Sequence, residues 1–227
     1  VCRIIDNQMK KIVIGFIAIG LITFVGCIST KVKDADGNTY KTVKIGSQEW
    51  MVENLNLDHF QNGDIIPEAK TKEEWVKAGE NKFPAWCYYK NNPSNGEKYG
   101  KLYNWFAVND PRGLAPEGWH VPTDAEWTVL TDYLGANGHS DEIVDVLKAT
   151  SGWDDDGNGT DDYGWLGLPG GIRRSAGHFL YIGRGGSWWS SSESKKGFSW
   201  HRYFSSSGVY FYESLHQHGY SVRCLRD

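Results

Sequence analysis

The sequence has no excess of positive charge, few cysteines and little methionine. Its 227 residues include 24 Lys and Arg against 28 Asp and Glu, which gives a formal net charge of -4. Proteins that bind nucleic acid by charge carry a basic surface, so we expect no nucleic acid as a partner. The 40% hydrophobic and 23% charged content is that of a globular chain, which excludes collagen-like, coiled-coil and wholly disordered classes.

A long apolar run is also missing. The longest uncharged apolar stretch covers residues 12–26, shorter than the ~20 residues that a transmembrane helix needs. Because Lys10 and Lys11 precede it, the pattern predicts a secretory signal peptide over residues 1–26. Residues 1–8 are interpreted as an upstream mis-start, since the signal pattern begins cleanly at Met9.

The end of this run predicts a lipid anchor. The segment Phe24-Val25-Gly26-Cys27 resembles a bacterial lipobox, in which the Cys after a small residue is lipidated. We therefore expect lipidation at Cys27, a tether over residues 27–33 and a membrane partner through the anchor. The expected location is the bacterial cell envelope, at the outer membrane or the cell surface. Ordinary signal cleavage and an uncleaved membrane anchor are the alternatives.

The remaining cysteines are Cys87 and Cys224, because Cys2 falls in the predicted signal peptide and Cys27 is the predicted lipidation site. Outside the cytoplasm an even pair of cysteines suggests a disulfide. The alternative is two separate buried thiols that pack as small hydrophobic groups.

The secondary-structure pattern after the tether predicts one domain over residues 34–227. Two strands, 40–45 and 49–52, flank a hairpin turn at Gly46-Ser47. A short amphipathic helix is expected over residues 71–78. A second helix should begin after Thr123, because Thr123 and Glu126 form a capping-box pattern.

A further helix is predicted to start at Ser140, with Ile143, Val146 and Leu147 on its buried face. After Thr150 the pattern predicts short strands and long loops.

Seven ordered segments together resemble one family, the Fibrobacter succinogenes major paralogous domain. They are YKTVKIG at 40–46, WMVENL at 50–55, YGKLYNW at 99–105, PEGWHVP at 116–122, LPGG at 168–171, WWSSS at 188–192 and SVRC at 221–224. The resemblance covers nearly all of residues 34–227. It implies a secreted or lipid-anchored bacterial surface protein.

A more distant resemblance concerns the fold. The segments PTDAEW at 122–127, GGSW at 185–188 and GYSVR at 219–223 are similar to the sulfatase-modifying, formylglycine-generating proteins. The resemblance implies an α+β, C-type-lectin-like fold with two main helices, small twisted antiparallel sheets and long ordered loops. Formylglycine-generating chemistry uses two thiols close in sequence, which Cys87 and Cys224 are not, so we expect no enzyme.

One acidic loop has the spacing of a calcium site. Asp154, Asp156, Asn158 and Asp162 alternate around Gly159, as oxygen ligands of calcium do. The Glu that closes an EF-hand is replaced by Trp165. A possible calcium site and a solvated acidic loop are both compatible with this pattern.

The aromatic residues are abundant, at 14% of the chain with 11 Trp. Most are expected in the core, because large rings dominate cores. Trp165, Trp188 and Trp189 lie in the Gly-rich late half and are candidate ligand-facing residues, with Arg173 as a possible hydrogen-bond donor. One ring of the Trp188–Trp189 pair is expected to be exposed in a concavity near residues 154–162.

Two functions are compatible with these features. The first is a non-catalytic, lipid-anchored binding module for a glycan, a peptide or an envelope partner. The second is a structural or assembly component of the envelope without a small ligand.

Overall fold

The computed structural model describes residues 31–140 and 142–227, and this part of the chain is mostly β. The predicted signal peptide, the mis-start at residues 1–8 and the lipidated Cys27 lie outside the described residues. The strands are β1 Lys31–Lys33, β2 Thr39–Ile45, β3 Gln48–Met51, β4 Trp86–Cys87, β5 Leu102–Tyr103, β6 Trp119–His120, β7 Gly170–Arg173, β8 Phe179–Ile182, β9 Gly186–Lys195, β10 Phe198–Ser205, β11 Gly208–Leu215 and β12 Leu225–Arg226. The helices are α1 Lys72–Glu80, α2 Pro93–Tyr99, α3 Trp105–Val108 and α4 Asp124–Leu134.

The first five-stranded sheet has the order β1-β2-β3-β12-β6, with antiparallel pairing. The predicted hairpin is confirmed, since β2 and β3 pair around the turn at Gly46-Ser47. Residues 31–33, predicted as part of the tether, form β1 and pair with β2, with Lys31 opposite Lys41. The folded part of the chain therefore begins earlier than the sequence pattern indicates.

The second five-stranded sheet has the order β11-β10-β9-β7-β8 and comes entirely from the late half of the chain. Its long strands β9, β10 and β11 form a meander, and β7 pairs with β9 in parallel. The register of β9 with β10 shifts on both sides of Ser199. Such bulges bend a strand and increase its twist, which helps this sheet to curl.

The capping-box prediction for α4 is confirmed. The Thr123 hydroxyl accepts the N–H of Glu126 at 3.2 Å, and the Glu126 carboxylate accepts the N–H of Thr123 at 2.8 Å. The helix buries Trp127, Leu130 and Leu134, the face that the spacing predicts. Helix α1 begins with the same motif at Thr71 and Glu74.

The predicted helix from Ser140 is wrong. Residues 142–147 form turns, although Val146 and Leu147 are buried as expected. The carbonyl groups of Asp145 and Leu147 accept the N–H groups of Thr160 and Gly167 at 2.8 Å. These hydrogen bonds to a later loop replace bonds that a continuing helix would make.

The predicted α+β, C-type-lectin-like fold with two main helices is also wrong. The described part of the chain has two curled five-stranded sheets, a two-stranded sheet of β4 and β5, and short helices, about 20% helical in total. Residues 186–215 are rich in Ser and Gly, so the sequence pattern did not indicate the long strands β9, β10 and β11. Residues 186–190 of β9 are all buried, and burial alternates along only part of β10. No helix within the described ranges is long and apolar enough to cross a membrane.

The core consists of three clusters of aromatic and aliphatic residues, and the expectation that most Trp are core is confirmed. Ten of the Trp residues are buried, and Trp200 is half-buried. The first cluster includes Trp105 and Trp189, the second includes Trp165 and Trp188, and the third surrounds Trp75. Burial of each large apolar side chain contributes about 1.5–3 kcal/mol, so these rings are a major part of the stability.

Candidate functional site

The tryptophans predicted to face a ligand lie inside the protein. Trp188 and Trp189 point to opposite faces of β9, as alternation requires, but each has 0% exposed surface. Trp188 packs against Trp165, with ring centroids 5.1 Å apart, and Trp189 packs against Tyr220 at 4.4 Å. The prediction that one ring is exposed is wrong, because β9 is a central strand and both of its faces are covered.

Arg173 is a structural residue rather than a ligand donor. Its guanidinium donates to the carbonyl oxygens of Ala69 at 2.6 Å and Thr71 at 2.8 Å. It lies 4.7 Å from the ring centroids of both Trp75 and Phe179. With 1% of its surface exposed, Arg173 joins α1 to the second sheet.

The acidic loop does not assemble the expected calcium ligands. Asn158 uses its side-chain oxygen to accept the N–H of Trp153 at 3.0 Å. Among the described residues, the group of His, Cys, Asp and Glu whose ligand atoms lie within 4.8 Å of one another consists of Asp36, Asp58 and His59. Asp154, Asp156 and Asp162 form no such group.

The Asp36–Asp58–His59 group is balanced by cations of the protein itself. His59 Nδ1 lies 2.5 Å from Asp36 Oδ1 and 2.9 Å from Asp58 Oδ1. The hydrogen bond to Asp36 raises the pKa of His59, which favours its protonated form. Lys101 Nζ, 3.4 Å from Asp58, adds a second positive charge. We interpret the group as an ion-pair network.

The predicted disulfide is absent. Cys87 and Cys224 are buried free thiols, and they belong to the third and first core clusters, respectively. Burial raises the pKa of Cys87 to about 12 and that of Cys224 even further, so both stay protonated. The alternative of two separate apolar thiols is the one that the structure shows.

A serine–histidine pair formed by Ser199 of β10 and His216, just after β11, lacks the geometry of a hydrolase active site. Ser199 Oγ is 2.9 Å from His216 Nε2, and Glu193 approaches the same nitrogen at 3.9 Å. In a catalytic triad the carboxylate holds the other ring nitrogen. Ser199 has 0% exposed surface, and Trp105 stacks on the His216 ring with 4.0 Å between centroids. This pair therefore has a packing role.

A cavity of about 370 Å³ lies on one face of the second sheet, and we name it the tyrosine pocket. Its exposed side carries Tyr181 and Tyr212, which are 42% and 49% exposed, and the half-buried Tyr203. Its lining residues are Ile172, Arg174, Tyr181, Ser187, His201, Tyr203, Tyr212, Glu213, Ser214, His218 and Tyr220. No residue of the 154–162 loop lines it.

Strand register places these side chains on one face. His201 lies opposite Tyr212 of β11, and Tyr203 lies opposite Ser187 of β9. Since His201 and Tyr203 are two residues apart on β10, they share a face of the sheet. A Cβ atom at Gly185 would lie 2.5 Å from the Tyr203 ring, so only glycine allows the chain to pass beside that ring.

Tyr181 is held in an unusual backbone conformation. Its φ of 69° lies in the left-handed region, which is costly for a bulky side chain. Its ring centroid is 6.2 Å from that of Tyr203. Such strained positions occur at binding sites, where the surrounding structure maintains them.

The deep part of the tyrosine pocket is polar and uncharged. Burial lowers the pKa of His201 to about 3, and burial together with the positive charge of Arg174 lowers that of His218 to about 4. Burial raises the pKa of Tyr220 to about 12. At neutral pH this part of the pocket therefore presents neutral imidazole and phenol groups.

The local pattern of the sequence did not point to the tyrosines of this pocket. Residues 198–205 and 208–215 are rich in aromatic residues and flank a short Ser-rich turn, which is compatible with a hairpin, but polar and apolar residues do not alternate along them. In such a hairpin His201, Tyr203, Tyr210 and Tyr212 occupy one face, as the structure shows. His218, from the segment after β11, and Tyr181, from β8, also reach the pocket, and no local sequence pattern indicates this.

Comparison with known families gives a match over most of the chain. Residues 43–226 match the model of the Fibrobacter succinogenes major domain. The searches matched no curated protein and no solved structure. The matched span contains every strand of the second sheet and all residues of the tyrosine pocket. The chain therefore belongs to the Fibrobacter succinogenes major domain family, a family of paralogous bacterial domains.

Proposed function

We propose that this chain is a lipid-anchored protein of the bacterial envelope that acts as a non-catalytic binding module, with the tyrosine pocket as its ligand site. The observation that carries the proposal is the combination of exposed tyrosine rings and a buried polar floor in one concavity. Ligand sites are typically concave, with aromatic contact area and a few placed polar groups.

Support for the anchor comes from the sequence. Residues 12–26 form an uncharged apolar run that follows two lysines and ends in Gly26-Cys27. This order of charge, apolar core and cysteine is that of a lipoprotein signal, and acyl chains hold a protein at a membrane without a spanning helix. Display at the outer membrane or cell surface gives the tyrosine pocket access to extracellular ligands.

Neighbouring residues of β11 provide a matched pair of variants to test the pocket. Tyr212 lines the pocket, whereas Phe211 is 66% exposed and points to the opposite face of the strand. The full chain should be screened against arrayed glycans and peptides, and bound probes measured by calorimetry. Tyr212→Ala should weaken binding at least about tenfold, or ~1.4 kcal/mol, while Phe211→Ala leaves it unchanged.

Equal affinity of the wild type and Tyr212→Ala for every bound probe would exclude the tyrosine pocket as the ligand site. A wild-type chain that binds no probe would support the second candidate function, an assembly component of the envelope without a small ligand. That candidate is favoured by one observation: β11 is an edge strand of its sheet and exposes Phe211. Edge strands offer backbone groups to another chain.

A further inference from the structure

We infer that the tyrosine pocket takes an uncharged, hydroxyl-rich ligand, a sugar ring of a neutral glycan, whose hydroxyl groups donate to Nε2 of His201 and of His218. This inference rests on the proposed function of the pocket as a ligand site, and it names the class of ligand.

A hydrogen bond to a backbone carbonyl group fixes the tautomer of His201. Its Nδ1 lies 3.0 Å from the backbone carbonyl oxygen of Tyr212. A carbonyl oxygen only accepts, so Nδ1 carries the proton and donates it. The buried ring is neutral, as its low pKa indicates. Its Nε2 therefore presents a lone pair, and the residue lines the pocket.

His218 has the same tautomer for a different reason. The Tyr220 hydroxyl donates to Ser214 Oγ at 2.8 Å, so its proton is used there. The His218 Nδ1 atom, 2.9 Å from the Tyr220 oxygen, must then be the donor in their contact. The Nε2 atom of the neutral His218 ring is left as an acceptor.

Both Nε2 atoms are available to a ligand. No hydrogen bond to either atom occurs among the residues that the structure describes, and neither is among the enclosed polar atoms without a partner. Two acceptors on the lining of one pocket call for a ligand with at least two donors. Sugar hydroxyl groups are such donors, and each can also accept in turn.

The charges of the pocket disfavour ionic ligands. An anion could pair with the exposed Arg174, but on the floor of the pocket it would meet two imidazole lone pairs instead of donors. A cation would meet the positive charge of Arg174, which acts on both His218 and Tyr220 of the floor. The Glu213 carboxylate does not offset this charge, because it forms an ion pair with Lys195. A neutral ligand avoids both costs.

The tyrosines suit a sugar better than a peptide. Tyr181, Tyr203 and Tyr212 present ring faces and edges, on which the C–H face of a pyranose ring can pack. A peptide side chain inserted between them would reach a floor of His201, Ser214 and His218, where an apolar group would leave both acceptors unpaired. Unpaired buried acceptors cost binding free energy. The polar floor therefore favours hydroxyl groups.

The test compares ligands that differ in the number of hydrogen-bond donors and in net charge. The probes are neutral hexasaccharides of glucose, mannose and xylose, their permethylated forms, a cationic chitosan hexamer, an anionic oligogalacturonate and a proline-rich peptide. Calorimetry with the full chain should show binding of at least one neutral hexasaccharide. Permethylation removes every donor but keeps the ring, and it should weaken that binding at least tenfold.

Protein variants give an independent readout. His218→Phe keeps a ring but removes the acceptor and should weaken binding, whereas His218→Gln keeps an acceptor and should restore part of it. Their melting curves identify any variant that fails to fold, and the permethylated probes make the same test without altering the protein.

The affinity of the wild type should stay constant as the pH falls to about 5, because both imidazoles remain neutral there.

The outcomes separate this inference from the proposed function. Equal binding of native and permethylated sugars overturns the role of the two acceptors, and binding of only the charged probes or the peptide overturns the ligand class. In either case the pocket remains a ligand site if Tyr212→Ala abolishes binding. If no probe binds the wild-type chain, the proposed function itself fails.

Discussion

His201 and His218 are held neutral by burial, and this links the stability of the protein to pH. Their pKa values are about 3 and about 4 in the folded protein, against 6.5 for an unperturbed histidine. Below pH 6.5 the unfolded chain therefore binds more protons than the folded one. The free energy of unfolding is unaffected by these groups above pH 6.5 and falls as the pH drops below it.

We expect each histidine to contribute a slope of up to ~1.4 kcal/mol per pH unit between pH 6.5 and its folded-state pKa. Urea unfolding of His218→Gln should show a shallower loss of stability than the wild type from pH 6.5 to about pH 4. His178→Gln, at an exposed site, is the matched control. Parallel curves for His218→Gln and the wild type would show that His218 is not buried as a neutral group.

Single residues also explain why the sequence pointed to the wrong ligand site. Trp165, Trp188 and Arg173 are large side chains with polar groups, a combination that suits either a ligand surface or a satisfied core. In the structure Trp188 Nε1 donates to Asn54 Oδ1 at 2.8 Å, and Arg173 donates to backbone carbonyls. Their partners are far away in sequence, so the residue type alone does not distinguish the two roles.

At the scale of elements, the α4 cap is the feature that local sequence determines best. Thr123 and Glu126 are close in the chain, and their hydrogen bonds satisfy N–H groups that every helix leaves free at its first turn. We expect Thr123→Ala to lower the free energy of unfolding by ~1 kcal/mol, within a range of about 0.5–2 kcal/mol.

Chemical denaturation of Thr123→Ala and of Thr71→Ala, the equivalent cap of α1, measures this cost at two sites. Thr123→Ser keeps the hydroxyl and should retain most of the stability. A loss in Thr123→Ser as large as in Thr123→Ala would mean that the methyl group, and not the cap, carries the effect.

Other elements depend on distant partners. Residues 142–147 have the apolar spacing of a helix, yet the loop around residues 159–167 takes the hydrogen bonds of the Asp145 and Leu147 carbonyl groups. Strands β9 to β11 do not alternate between polar and apolar residues, and the buried side of β10 is evident only once β9 and β11 are paired with it. Local patterns predicted helix α1, the capped helix α4 and the first hairpin because those depend on neighbours in the sequence.

For the whole molecule, the proposed lipid anchor at Cys27 would decide where the tyrosine pocket operates. Expression of the full chain with a fatty-acid analogue should label the wild type, and the protein should fractionate with membranes. Cys27→Ser should lose the label and release the protein, because acylation needs the thiol. Cys224→Ser is the control, since its thiol is buried in the folded domain. Equal labelling of Cys27→Ser would exclude Cys27 as the lipid attachment site.

The sequence by itself determined the family, the first hairpin, helix α1, the capped helix α4 and the aromatic core. Each depends on local spacing or on side-chain chemistry that a single segment displays. Only the tertiary structure decided the mostly β fold, the separation of Cys87 from Cys224 and the position of the tyrosine pocket. The pocket needs all five strands of the second sheet in register and a loop that brings His218 and Tyr220 beside His201. Contacts of that kind arise from the packing of whole sheets, where burial and distant hydrogen bonds outweigh local preference.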